Sequence, residues 1–261
     1  MKNILCFILI VFIICYILLY YIRFINPFNK LCNKNRYLDL EKKKFYIDKL
    51  KIKYFIIKNF KYINVAKVFF KTNDIDKLVN YDFKKLPNKF VIKSNNGSSD
   101  CIIVDDKSKF NKNKIRKLKT FFTYGNVFLY NSILGEEKQY KIKKFYFIEE
   151  YLGENIYDYK FHMFDGEIKY IQVDSNRFED HCRTFYNKDF KILKDKRYKY
   201  KKCDFVHKKP ITLNLMIRFC KECYNITKFK FFRIDFYEIN GILYFGEFTF
   251  THGNCYGFNN L

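Results

Sequence analysis

The chain has no tryptophan, 3 prolines, 3 methionines, 4 histidines and 9 glycines in 261 residues. So few glycines and prolines exclude a collagen-like or low-complexity polymer and a chain disordered throughout. Acidic residues are also scarce, 27 Asp and Glu against 50 Lys and Arg, for a net charge of +23. In a chain this rich in Lys, Asn, Ile, Phe and Tyr, an A+T-rich coding bias explains that balance as readily as a basic ligand does. The charge therefore selects no partner, and no specific nucleic-acid site is expected. What abounds is apolar: 49% hydrophobic residues, with 32 Phe and 23 Tyr, enough to bury a core in one large or two small domains.

Residues 4–22 contain no charged side chain, and their length matches the ~20 residues a helix needs to cross a bilayer. Tyr20, Tyr21, Arg23 and Phe24 follow as an aromatic and basic edge, with no small-x-small cleavage site after them. Only Lys2 precedes the stretch, whereas Arg23, Lys30, Lys34, Arg36 and Lys42 to Lys44 follow it. The positive-inside rule then places the bulk of the chain in the cytoplasm. The expected organisation is a transmembrane anchor over 1–24, a basic connector over 25–44 and one folded domain over 45–261, in a single-pass membrane protein.

The nine cysteines are odd in number and scattered, without the spacing of a disulfide framework, which agrees with a reducing compartment. Cys203, His207, Cys220 and Cys223 have a spacing that could hold zinc. Against that, Leu213, Met216, Ile217, Cys220, Cys223 and Tyr224 recur at helical spacing, where small hydrophobes simply face a core.

Helical patterns are expected over 45–60, 75–79, 108–122 and 212–227, and strands over 65–70, 89–93, 100–104, 144–152, 157–164 and 167–173. Between two of these strands lies the small, polar tip Asn96-Gly97-Ser98-Ser99, where backbone N–H groups can meet phosphate oxygens beside Lys93. Most such tips are plain turns.

The C-terminal hairpin, 231–238 and 242–250, carries Phe232, Ile234, Phe236, Ile242, Tyr244, Phe248 and Phe250 at even positions, and Arg233, Asp235, Tyr237, Leu243, Phe245, Glu247 and Thr249 at odd ones. A three-residue turn, Ile239-Asn240-Gly241, keeps parity and pairs Arg233 with Glu247. A two-residue turn would bury Glu247 beside Ile234. The expected patch suits Mg2+ on nucleotide phosphates, because that ion takes one or two carboxylates plus phosphate oxygens. An Arg233–Glu247 salt bridge on a solvated face is the plain alternative.

The ordered set Lys93-x3-Gly97-Ser98-Ser99, Glu149-Glu150-Tyr151-Leu152, Arg233-x-Asp235 and Glu247-x-Thr249-x-Thr251-x-Gly253 resembles the ATP-grasp superfamily of carboxylate-amine ligases. The phrases KLPNKFVIKSNNGS, DYKF, FDGEIKYIQVDSNRF and GILYFGEFTFTHG are similar to the TupA-like ATP-grasp family, over roughly residue 37 to the C-terminus. The resemblance implies an α+β fold of two lobes holding ATP between antiparallel sheets, a nucleotide lobe near 85–150 and a metal and phosphate lobe near 151–261. By the same resemblance, Lys93 and Asn96 to Ser99 would cover the phosphates, and Glu149, Glu150, Tyr151 and Leu152 would read adenine and ribose. Lys160 would be a second phosphate contact, and Phe245 would pack on adenine. Asp235, Glu247 and Thr249 would hold Mg2+, and Arg233 would stabilise the transferring phosphoryl group together with Lys93. Departures from the pattern are Thr249 where many members carry Asn, His252 in place of a common Pro, and Asn96 in place of a frequent His.

The activity so implied joins a carboxylate to an amine through an acyl phosphate, at the membrane, in cell-surface polysaccharide or glycopeptide synthesis. His181 and Arg183 are candidates for an anionic acceptor. A glycosyltransferase using Asp105-Asp106 for its metal, and a membrane-tethered binding protein without catalysis, are the alternatives.

Overall fold

The computed structural model describes residues 2–25, 27–36, 38–96, 101–116, 118, 142–177, 179–193 and 200–251. Helices α1 (Lys2–Ile25), α2 (Pro27–Arg36), α3 (Leu40–Ile47) and α4 (Lys49–Asn59) come first. Where the sequence pattern reads as one helix over 45–60, Asp48 breaks it. Its carboxylate accepts from the N–H groups of Leu50 at 3.0 Å and Lys51 at 3.1 Å, so α4 starts with its own N-cap.

The membrane span expected over 4–22 is not supported. The segment is helical, but among the described residues no helix is long and apolar enough to cross a membrane. Single-pass membrane localisation and tethering through this helix fall with it. The stretch expected to be a connector is helical instead, in α2 and the start of α3.

Past α4 the chain builds two sheets. The stretch expected as one strand over 65–70 divides between them: β1 (Asn64–Val65) joins a seven-stranded sheet and β2 (Val68–Thr72) a four-stranded one. The smaller sheet runs β2-β5-β3-β4, with β3 (Phe90–Ser94), β4 (Cys101–Val104) and β5 (Tyr146–Glu150) all antiparallel. Helix α5 (Ile75–Val79) packs on it around Leu78, Phe83, Phe90, Ile92 and Ile148. Where the pattern reads as one long helix over 108–122, residues 108–116 are not α-helical, while Leu118 is. Two 3-10 turns, Lys107–Lys109 and Lys112–Arg116, stand there; residue 117 and residues 119–122 lie outside the described set.

The larger sheet runs β1-β11-β10-β6-β7-β8-β9, with β6 (Asp158–Phe164), β7 (Glu167–Ser175), β8 (Cys182–Tyr186), β9 (Lys201–Lys202), β10 (Phe231–Ile239) and β11 (Ile242–Thr249). Over 158–163 and 171–174 β6 and β7 alternate: Tyr159, Phe161, Met163, Ile171 and Val173 enter the core on one face, while Asp158, Lys160, His162, Gln172 and Asp174 line a cavity on the other. Helix α6 (Leu213–Thr227) covers the core face through Leu213, Met216, Phe219, Cys220 and Cys223.

The cysteines differ from expectation in one respect. Cys182 and Cys203 form a disulfide, because parallel pairing of β8 with β9 brings residues 21 apart side by side. Cys203 is thereby unavailable to zinc, and burial in the core pushes the thiols of Cys220 and Cys223 up. Among the described residues no group of three or more His, Cys, Asp or Glu is placed to hold a metal.

Candidate functional site

The turn of the last hairpin has two residues, not three. Asn240 and Gly241 both have positive φ, 52° and 75°, and Ile239 pairs with Ile242. That register would send Glu247 into the core, but a bulge between Asp235 and Phe236 restores parity and sets Glu247 opposite Asp235. Gly246 permits it: a Cβ there would stand 3.0 Å from the backbone oxygen of Asp235. Before the bulge the alternation is reversed, so Leu243 and Phe245 face the core. Phe245 is 1% exposed among Phe219 and Phe248 and does not line the cavity, which leaves it unable to pack on a ligand there.

The cavity, about 850 Å³, lies between the two sheets. Lys93, Asn96, Glu149, Glu150, Tyr151, Leu152, Lys160, Arg233, Asp235, Glu247 and Thr249 all border it. Gly97, Ser98 and Ser99 lie outside the described residues, as does His252. The base of their loop is pinned by Asn95, whose side chain donates to the Lys143 carbonyl at 3.1 Å and accepts from the Phe145 N–H at 2.8 Å.

On the floor, every carboxylate has its cations. Arg233 grips Asp235 with two bonds of 2.6 and 2.7 Å, donates to Thr249 Oγ1 at 3.1 Å and stands 3.6 Å from Glu247. Lys160 bridges Asp235, at 2.7 Å, and Asp158. Arg177 donates to Asp158 Oδ2 at 2.7 Å, while Oδ1 of that buried carboxylate has no hydrogen-bond partner among the described residues. Arg183 grips Asp174, which also accepts from Gln172 at 3.0 Å.

These pairings set the protonation states. Burial pushes the Glu247 carboxyl up, but Lys49 and Arg233 outweigh it and hold it well below the usual range. Asp174 is held at about 2, where hydrogen bonding to Arg183 overcomes burial. Asp158, the most enclosed, is pushed up by burial.

Sequence reasoning missed several of these side chains. Lys49, at the start of α4, lies 3.2 Å from Glu247, and Lys53, one turn on, lies 3.0 Å from Glu149, which also pairs with Lys93. Their signal was an Asp cap followed by lysines four apart. Asp158, Gln172 and Asp174 were visible as the polar half of an alternating pattern. His181 and Arg183 do line the cavity, against the ring of Tyr200. The Asp105-Asp106 pair is divided: Asp105 borders the cavity, whereas Asp106 accepts from Ser108 at the head of a 3-10 turn.

The family profile described as TupA-like ATPgrasp matches residues 29–260. No curated protein matches the chain. Among solved structures it is similar to D-alanine–D-alanine ligase from Bacillus anthracis complexed with ATP, at 18% identity over 78% of this chain and 55% of that one, TM-score 0.45. It is also similar to L-amino acid ligase from Bacillus licheniformis, at 14% identity over 79% and 43%, TM-score 0.47. A third is macrocyclase MdnC bound with precursor peptide MdnA from Microcystis aeruginosa, at 9% over 83% and 55%, TM-score 0.43. The chain thus spans about half the length of the solved structures it matches.

Proposed function

Because the chain belongs to the TupA-like ATP-grasp family, we propose that it is an ATP-dependent ligase that activates a carboxylate as an acyl phosphate and transfers the acyl group to an amine. The observation that carries this reading is the shared cavity, into which one sheet brings Lys93 and Glu149 and the other Lys160, Arg233, Asp235 and Glu247.

In-line transfer of the γ-phosphoryl group to a carboxylate asks for positioning and for charge on the phosphate oxygens to be neutralised, more than for a general base. Lys93 and Lys49 supply cations from two sides, and Arg233, oriented by its bidentate bond to Asp235, faces the transferring group. The oxygen-only donors Asp235 and Glu247, opposite each other on one strand pair, fit Mg2+ shared with phosphate. When bound there, the ion would supply charge neutralisation at the phosphoryl oxygens. The segment over 151–157 joins the two sheets, and closing the loop with Asn96 over the cleft would keep water from the acyl phosphate.

The amine would dock on the same floor, next to the Lys160 that Asp158 shares with Asp235. Asp158, whose Oδ1 accepts no hydrogen bond among the described residues, would receive it, with Arg177 on its other oxygen for an acidic group on the same acceptor. The setting we assign, on the family resemblance, is surface-polysaccharide or glycopeptide assembly.

The test is thermal stabilisation by Mg·ATP, followed by ADP release and hydroxamate formation with hydroxylamine over a panel of sugar acids and amino acids. Stabilisation by Mg·ATP and carboxylate-dependent hydroxamate are expected. Stabilisation by UDP-sugars without any by Mg·ATP would replace the ligase with a glycosyltransferase.

A further inference from the structure

Lys53 is one of the most deeply buried cations in the molecule, with 4% of its side chain exposed, and the mechanism above does not use it. It is not among the side chains bordering the large cavity. Its ammonium reaches Glu149 at 3.0 Å and donates to the Ala66 carbonyl at 3.3 Å. Glu149, 6% exposed, offers its other oxygen to Lys93, whose side chain is 23% exposed and borders the cavity.

The three side chains carry two positive charges and one negative. A buried carboxylate must be compensated, and the compensating cation is not free to serve elsewhere without cost. With Lys53 in place, Glu149 keeps a partner when Lys93 turns toward an anion. Without it, Lys93 would be the sole counter-ion of a buried charge, and a phosphate would have to compete with Glu149 for it. Burial pushes the Lys53 ammonium down and Glu149 works against that, while Lys93 and Lys53 together hold the Glu149 carboxyl below its usual range.

We propose that Lys53 is a positioning residue for the nucleotide: by neutralising Glu149 from α4, it leaves the Lys93 ammonium available to phosphate. This rests on the reading of the cleft as an ATP site. It predicts a suppressor, since removing the charge of Glu149 should make Lys53 dispensable.

The experiment measures dissociation constants for Mg·ATP and for adenosine by calorimetry on the full chain as wild type, Lys53→Met, Glu149→Gln and the double variant. Lys53→Met should weaken Mg·ATP about 10-fold and leave adenosine within about 2-fold, and the double variant should bind Mg·ATP within about 3-fold of Glu149→Gln. Three results overturn the proposal: Lys53→Met binding Mg·ATP as wild type does, adenosine lost in parallel, or an equal loss in the Glu149→Gln background. If Lys53→Met fails to fold, Glu149→Gln against the double variant decides alone, equal affinities supporting and a further loss refuting. A wild-type chain that binds no Mg·ATP overturns the ligase reading itself, which is a different result from any of these.

Discussion

The two walls of the cleft manage charge differently. On the seven-stranded sheet, cations and carboxylates interlock along one face: Arg233 with Asp235, Lys160 with Asp235 and Asp158, Arg183 with Asp174. Most of these side chains come from the sheet itself, so the floor is organised by strand register before any ligand arrives. On the four-stranded sheet the ion cluster centres on Glu149, and one of its cations is lent by α4. Preorganisation on the first wall comes mostly from pairing within a sheet, with Lys49 of α4 added only at Glu247, whereas on the second it comes from docking that helix. The first should therefore be sensitive to register, the second to the setting of α4.

The largest effect expected is on the floor. Glu247→Gln keeps shape and removes a charge that the ligase reading assigns to Mg2+, so on that reading Mg·ATP turnover should fall at least ~100-fold. Glu238→Gln, on the same hairpin but bonded to the N–H and hydroxyl of Thr212 at 2.7 and 2.6 Å, should leave turnover near wild type. Equal effects would dissolve the distinction between the floor and the rest of that hairpin. Next comes register. Gly246→Ala sets a Cβ 3.0 Å from the backbone oxygen of Asp235, which the paired ladder restrains, and should cost about 1–3 kcal/mol in urea unfolding, with Mg·ATP affinity falling in step.

A smaller effect concerns the far edge of the same sheet. His207 is buried, its ring nitrogens 2.6 Å from Ser175 Oγ and 2.8 Å from Tyr186 Oη, and burial lowers its pKa to about 4. The folded state thus binds the proton less readily than the unfolded one. Its contribution is whole above pH 6.5 and is lost as pH falls toward 4. After screening, unfolding measured across that window should lose roughly 2 kcal/mol, and His207→Asn should flatten the slope. The smallest effect tests the helix: Asp48→Ala removes the cap of α4 and should cost about 1 kcal/mol. It should also weaken Mg·ATP binding through Lys49 and Lys53 together.

Much of this could be read from the residues alone. The antiparallel pairing of β6 with β7, the α6 stripe with its two cysteines and the meeting of Lys93, Glu149, Asp235 and Glu247 at one cavity follow from periodicity and motif order. The hairpin shows where local reading runs out. That Arg233, Asp235, Glu247 and Thr249 share a face was expected from a wrong turn, and the expected pairing of Arg233 with Glu247 is off by one step: the ladder sets Arg233 opposite Thr249 and Asp235 opposite Glu247, because Asn-Gly closes a two-residue loop and the parity is repaired five residues later by a bulge at Gly246. Phe245 was misplaced for the same reason, lying between the turn and the repair. The Cys182–Cys203 bond was illegible because β8 went unrecognised and β9 has two residues. The pairs from Lys49 and Lys53 join residues about 100 to 200 positions apart, which periodicity does not register.

Helix α4 has one more consequence. Its two lysines are a single helical turn apart, ~6 Å along the axis, and each is fastened to a different sheet, Lys49 to Glu247 and Lys53 to Glu149. The helix therefore acts as a gauge block, setting the gap between the two walls to a length written in the chain as four residues. Inserting one residue between them would swing Lys53 ~100° about the axis, so the width of the mouth can change by moving α4 as a body but not by stretching it.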